Sequence, residues 1–159
     1  MAESDDLETI QIPEVTVRPA PGRAKVVTVP VDGDVVMGMR AEIAEHYGVP
    51  GHELEPHATT LDYLIGAAAG CLTGTFSGML LALGQDTGGG SLVAKAAGRI
   101  VKEKAVLRVA GVHVVYELRR DAGVAESDIV RAHAVHQRRC PIARSIGTSV
   151  TLTTELRFR

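Results

Sequence analysis

From Leu64 to Leu83 the chain carries no charged side chain, and inside that run Gly66, Gly70, Gly74 and Gly78 recur at every fourth position. The length is that of a membrane span, for which about 20 apolar residues suffice. Small residues four apart are also how membrane helices approach one another. The flanks argue otherwise. Asp62 precedes the run and Asp86 follows it, with no Lys or Arg at either end and no Trp in the chain, whereas spanning helices are framed by basic and aromatic anchors. The run is therefore expected to be the central helix of a soluble domain, opened by Thr59-Thr60 and closed by Gly84. A helix that is apolar all round has to be buried nearly all round, and a chain of 159 residues hardly surrounds one this long. Two copies meeting along the glycine stripe would solve the problem, so a homodimer is expected.

The segments on either side alternate as strands do. Ile10, Ile12, Val15 and Val17 form a short β-like run broken by Pro13. Val27, Val29 and Val31 follow with period two, and Asp32-Gly33 signals a hairpin. Residues 41–60, with Gly48, Pro50, Gly51 and Pro56, read as a short helical turn and a loop. Beyond the central helix, LVAKAAGRIVKE and VLRVAGVHVVYELRR read as two strands. ESDIVRAHAVHQRRC reads as a second helix with Ser127 or Asp128 near its N-cap and Pro141 after its last turn, and TSVTLTTELRF as a final strand. The order hairpin, helix, hairpin, helix, strand predicts an α+β fold with one sheet layered on helices. Residues 7–159 are expected to form one domain behind a disordered acidic tail, residues 1–6.

A net charge of −2, no basic tract and only 3% aromatic residues give no reason to expect nucleic acid or an acidic membrane surface as partner. The opening MAESDDLE lacks the basic and apolar regions of a signal peptide. A cytoplasmic setting is expected, where thiols rest reduced. The chain has two cysteines, Cys71 and Cys140, which in that setting are either inert or redox-active.

Cys71 lies in GAAAGCLTG, where it reads either as a small core residue or as a thiol at the bottom of a narrow apolar slot. Cys140 lies in HQRRCPIARSI. Arg138, Arg139 and Arg144 around it would favour the thiolate, which is the nucleophile, unless they form a solvated face and the Cys-Pro pair merely ends a helix. His133, His136 and Cys140 share one helical face, and His and Cys are both zinc ligands. A fourth ligand would have to come from His113 or Cys71. The spacing matches no closed zinc pattern, so neither a metal nor any other cofactor is expected. His46, His52 and His57 read as surface residues.

The helix with AAAGCL, a hairpin, a helix ending HQRRCPIARSI and a last alternating strand together resemble the OsmC/Ohr family, the osmotically inducible protein C and organic hydroperoxide resistance proteins. The resemblance implies a thiol-dependent peroxidase for organic hydroperoxides, an intertwined homodimer recycled by an external dithiol. It makes Cys71 the attacking thiol and Cys140 the resolving one. It also implies an arginine that activates the thiol, matched by Arg40 at the end of VVMGM or by Arg23 in PGRAKV, and a glutamate that holds it. Where the family carries that glutamate in an N-P-E motif this chain has Leu61, leaving Asp62 or Glu55 to substitute. The alternative on the same fold is a non-enzymatic protein that binds an apolar ligand or senses redox state.

Overall fold

The computed structural model describes residues 7–159, so the acidic tail lies outside the described residues. The chain is organised as two compact units that divide between Thr60 and Leu61.

The first unit holds an antiparallel sheet of β1 (Thr16–Pro19), β2 (Lys25–Val29) and β3 (Gly33–Met37), in that order. Helix α1 (Ala41–His46) and a single 3₁₀ turn (Gly51–Glu53) follow. The expected hairpin forms, but the sharp backbone falls on Val31 (φ +70°) and on Gly33 (φ +80°), not on Asp32. The β-like run expected from Ile10 to Val17 shrinks to β1, and Leu7, Ile10 and Ile12 stand exposed outside any strand. Residues 55–57 lie close against this unit's backbone. A Cβ at Gly22 would come within 2.8 Å of the Glu55 Cβ, and one at Gly38 within 2.9 Å of the His57 Cβ.

The second unit is built on α2 (Thr60–Ala82). After it come β4 (Leu92–Glu103), β5 (Val106–Leu118), α3 (Glu126–Arg139), α4 (Pro141–Ile146) and β6 (Thr151–Phe158). β4 and β5 form a long hairpin closed by Lys104-Ala105, both at positive φ (48° and 72°). Two successive positive-φ residues match the strand twist in a two-residue loop. β6 pairs with β5 in parallel. A parallel neighbour requires a crossover, which α3 and α4 supply. The strands thus divide into two small sheets, where a single layer was expected.

Period-two burial on β5 turns Val112, Val114, Tyr116 and Leu118 inward. Against them α2 presents Ala68, Leu72, Phe76 and Leu80, four apart and fully buried, and α3 presents Ile129, Ala132 and His136. Within the single chain only this face of α2 is fully buried. Gly66, Gly70, Gly74 and Gly78 are exposed, and nothing lies within 4 Å of where a Cβ would sit on any of them. Helix α2 remains long and apolar enough to cross a membrane, yet its buried face belongs to the core of the second unit. Helix α3 starts at Glu126, the first residue of the expected run, but is not capped by Ser127 or Asp128. Its N-cap is Ala125, with Glu126 and Asp128 in the first turn, where acidic side chains favour the helix dipole.

Candidate active site

Cys140 is placed by the backbone on both sides of it. At φ −78° and ψ 120° it leaves the helical region, so α3 ends at Arg139. Pro141 then occupies the first position of α4, where its missing N–H costs nothing and its fixed φ suits a helix start. Proline was expected only to stop a helix. Here it starts a second one, and this turn points the Cys140 side chain into the core. Cys140 is fully buried, and its Sγ accepts a hydrogen bond from the Ala143 N–H at 3.4 Å.

That burial overturns the charge argument made for this thiol. Arg138, Arg139 and Arg144 are exposed. Burial pushes the Cys140 thiol above its ordinary value. The Cys71 thiol beside it raises it further, as a hydrogen-bonding neighbour and as a like charge. Cys71 sits mid-way along α2, next to the fully buried Leu72, and is half-buried at the edge of the cluster that encloses Cys140. The two thiols, far apart in sequence, therefore adjoin in one apolar core, one within reach of solvent and the other sealed. Both are free thiols.

Four rings complete this core. Phe76 from α2, Tyr116 from β5, and His133 and His136 from α3 have all their ring centroids between 4.9 and 5.9 Å of one another. His136 Nδ1 donates to the His133 carbonyl at 2.6 Å. A carbonyl can only accept, so Nδ1 carries the proton and Nε2 holds the lone pair. Tyr116 then donates its hydroxyl to that Nε2 at 3.2 Å. Burial lowers the affinity of both histidines for a proton. Burial also pushes the Tyr116 hydroxyl far up, and the neighbouring Cys140 adds to the rise while the Thr73 hydroxyl opposes it.

These hydrogen bonds count against the zinc reading of His133, His136 and Cys140. Both nitrogens of His136 are engaged, and no three His, Cys, Asp or Glu side chains among the described residues are grouped to hold a metal. His113 is exposed, with Thr153 at 2.8 Å from Nδ1 and Glu155 at 3.7 Å from Nε2. An apolar groove between α2 and α3 is lined by Met79, Leu83, Ala132 and Val135, with Arg131 and Arg139 at its edge, and neither cysteine lines it.

The candidate arginines belong to the first unit. Arg40 is the N-cap of α1 and pairs with Glu42 at 2.9 Å. Arg23, at φ +64°, pairs with Glu53 at 2.9 Å. Glu53 was not among the glutamates the sequence offered. Of those that were, Glu55 is exposed and lies 3.6 Å from His57 Nε2, and Asp62 is half-buried in the first turn of α2.

The OsmC-like protein family model matches residues 51–155, and the chain belongs to that family. Solved structures show the same fold at low identity. An OsmC-like protein of unknown function from Vibrio cholerae superposes with a TM-score of 0.75 at 14% identity, covering 93% of this chain and 100% of that one. An OsmC-like protein from Mycoplasma pneumoniae gives 0.71 at 12% identity over 94% and 99%. The organic hydroperoxide resistance protein OhrB of Bacillus subtilis gives 0.64 at 16% identity over 94% and 100%. No protein of curated function matches the chain by sequence.

Proposed function

We propose that this OsmC-family protein is a cytoplasmic, homodimeric peroxidase that reduces organic hydroperoxides through Cys71 and Cys140. The observation that carries the reading is the adjacency of the half-buried Cys71 thiol and the sealed Cys140 thiol. A thiolate at Cys71 attacks the distal peroxide oxygen, the O–O bond breaks, and an alcohol leaves with a sulfenic acid on Cys71. The Cys140 sulfur then displaces the hydroxyl as water and closes the disulfide. An external dithiol returns both cysteines to thiols by exchange. The chemistry needs neither metal nor organic cofactor. The Ala- and Leu-rich surroundings of Cys71 suit alkyl and lipid-derived peroxides better than hydrogen peroxide.

The arginine of this scheme is assigned to Arg40, with Arg23 as the competing choice, since each is held by a glutamate. Peroxide consumption driven by a dithiol tests the whole reading. Cys71→Ser abolishes turnover, and Arg40→Ala lowers it while Arg23→Ala does not. Consumption unaffected by Cys71→Ser would refute it. A second reading, a non-enzymatic binder of apolar ligands, draws on the Met79–Val135 groove and on Leu61 at the family's glutamate position. It predicts ligand binding that survives Cys71→Ser.

A further inference from the structure

With Cys140 sealed in the core, the arginines that flank it in sequence have no thiol to serve. Arg138 and Arg144 are exposed, and neither makes an ion pair or a side-chain hydrogen bond among the described residues. Arg131, two turns earlier on α3, is by contrast held by Asp128. Between Asp128 and Glu155 the chain carries no acidic residue, so nothing near in sequence neutralises the later arginines. The dipole of α3 favours a cation in its last turn, which accounts for Arg138. It does not account for Arg144, which belongs to the next helix, nor for their convergence.

Arg138 and Arg144 line one hollow of about 370 Å³ at the elbow between α3 and α4, completed by Ala134, Gln137 and Ala143. The alanines leave the space open, and no acidic side chain lines it. Gln137 is fixed in place, its Nε2 donating to the Leu152 carbonyl at 3.2 Å. The volume suits a small ligand group. Two guanidinium groups lining one small space repel each other, and an oxyanion relieves that repulsion while matching the N–H fork of each. The hollow also adjoins the redox pair. Ala143 lines it, and the Ala143 N–H bonds the Cys140 Sγ at 3.4 Å, so one residue separates the hollow from the resolving sulfur.

Building on the peroxidase reading, we propose that the α3–α4 elbow is an oxyanion site in which Arg138 and Arg144 hold a carboxylate of the external dithiol that reopens the Cys71–Cys140 disulfide. Held there, the reductant has its thiols concentrated beside the disulfide. One thiolate of the dithiol attacks a disulfide sulfur, and the S–S bond breaks with its electron pair on the other cysteine. The second sulfur of the dithiol then displaces the first cysteine from the mixed disulfide. The two protons of the dithiol pass to Cys71 and Cys140, which are reduced, and the dithiol leaves oxidised to its own disulfide.

The test starts from protein oxidised with diamide, which needs no peroxide. Its reduction is followed by rapid mixing with two synthetic Cys-X-X-Cys peptides that differ only in carrying two glutamates or two glutamines. Arg138→Gln and Arg144→Gln are compared with wild type after melting curves show that they fold. Arg99→Gln, which removes an exposed and likewise unpaired arginine on β4, controls for net charge. The expected result is a wild type that the glutamate peptide reduces faster than the glutamine peptide. Each elbow variant loses about tenfold of the glutamate peptide's rate and none of the glutamine peptide's, and Arg99→Gln keeps both. A glutamate-peptide rate unchanged in both elbow variants, or lost equally in Arg99→Gln, would overturn the proposal. So would a chain that closes no disulfide with diamide. A wild type that ignores alkyl hydroperoxide, yet keeps the arginine-dependent preference, would refute the peroxidase reading and leave the oxyanion site standing.

Discussion

Ile65 on α2 fills the space that a side chain at position 98 of β4 would need. A Cβ added to Gly98 would stand 2.1 Å from Ile65 Cδ1 and 2.4 Å from its Cγ1. The glycine is what lets the helix lie this close to the strand. Gly98→Ala forces Ile65 out of its rotamer and is predicted to cost about 1–3 kcal/mol, the usual range for overpacking. Combining it with Ile65→Ala should recover part of that loss. A double-mutant cycle by urea unfolding checks the coupling, and strictly additive losses would contradict the contact.

The glycine stripe of α2 gives an opposite expectation. In the single chain a Cβ at Gly74 meets nothing within 4 Å. Were that face solvated, Gly74→Ala would stabilise the helix by about 1 kcal/mol through propensity alone. Our homodimer proposal predicts the reverse, because a second backbone would occupy that space. Gly74→Leu should then shift the protein from dimer to monomer in light scattering. A wild-type monomer, or a Gly74→Leu dimer as tight as wild type, would count against the proposal.

Acid should weaken this protein in two stages. His133 and His136 bind protons less readily when folded than the ordinary value of 6.5, because burial disfavours the cation. The unfolded chain therefore takes up protons first. Their contribution to stability is intact above about pH 6.5 and lost as pH falls towards the depressed folded values. Asp86, Glu117 and Glu155 are also held below their ordinary values, first by hydrogen bonds from the Gly88 N–H, Lys95 and Arg157 respectively. Their contribution is lost lower, as pH falls from the ordinary carboxylate range through the folded values. Melting temperature measured between pH 7.5 and 5 should fall, and His133→Leu should flatten that slope. A slope unchanged by His133→Leu would show that the histidine is not responsible.

Val31 holds a left-handed backbone that a β-branched residue rarely adopts, at φ +70° and with its side chain in solvent. Val31→Gly removes the strain and is predicted to stabilise the β2–β3 hairpin by about 1 kcal/mol, set against the larger unfolded-state entropy of glycine. Thermal melts of the two proteins decide the sign. A destabilised glycine variant would mean that the backbone there is not strained.

The long elements were legible because their signals are local. The alternating runs marked β4 at both ends and β5 at its start, overrunning its end at Leu118 by two residues, and the charge-free run with its terminal glycine marked α2. The pairing of Cys71 with Cys140 came from family resemblance, since no local pattern brings α2 to the end of α3. Helix α4 escaped because a proline was read as a stop, although at the first helical position it is a start. The Phe76, Tyr116, His133 and His136 cluster escaped because it is assembled from three elements. Two of its members share a helical face that zinc could in principle use, and the hydrogen bonds of His136 count against that use. Glu53 escaped for the same tertiary reason. It reaches Arg23 across 30 positions of sequence.

The central claim is that Cys71 and Cys140 form a working redox pair. One equivalent of an alkyl hydroperoxide added to the fully reduced protein, followed by intact mass and a free-thiol count, tests it most directly. The account predicts a loss of two hydrogens and of both thiols in wild type. In Cys140→Ser it predicts a sulfenic acid on Cys71 that a dione probe traps. Unchanged mass with two surviving thiols would contradict it, leaving an OsmC-family protein whose cysteines serve only to pack its core.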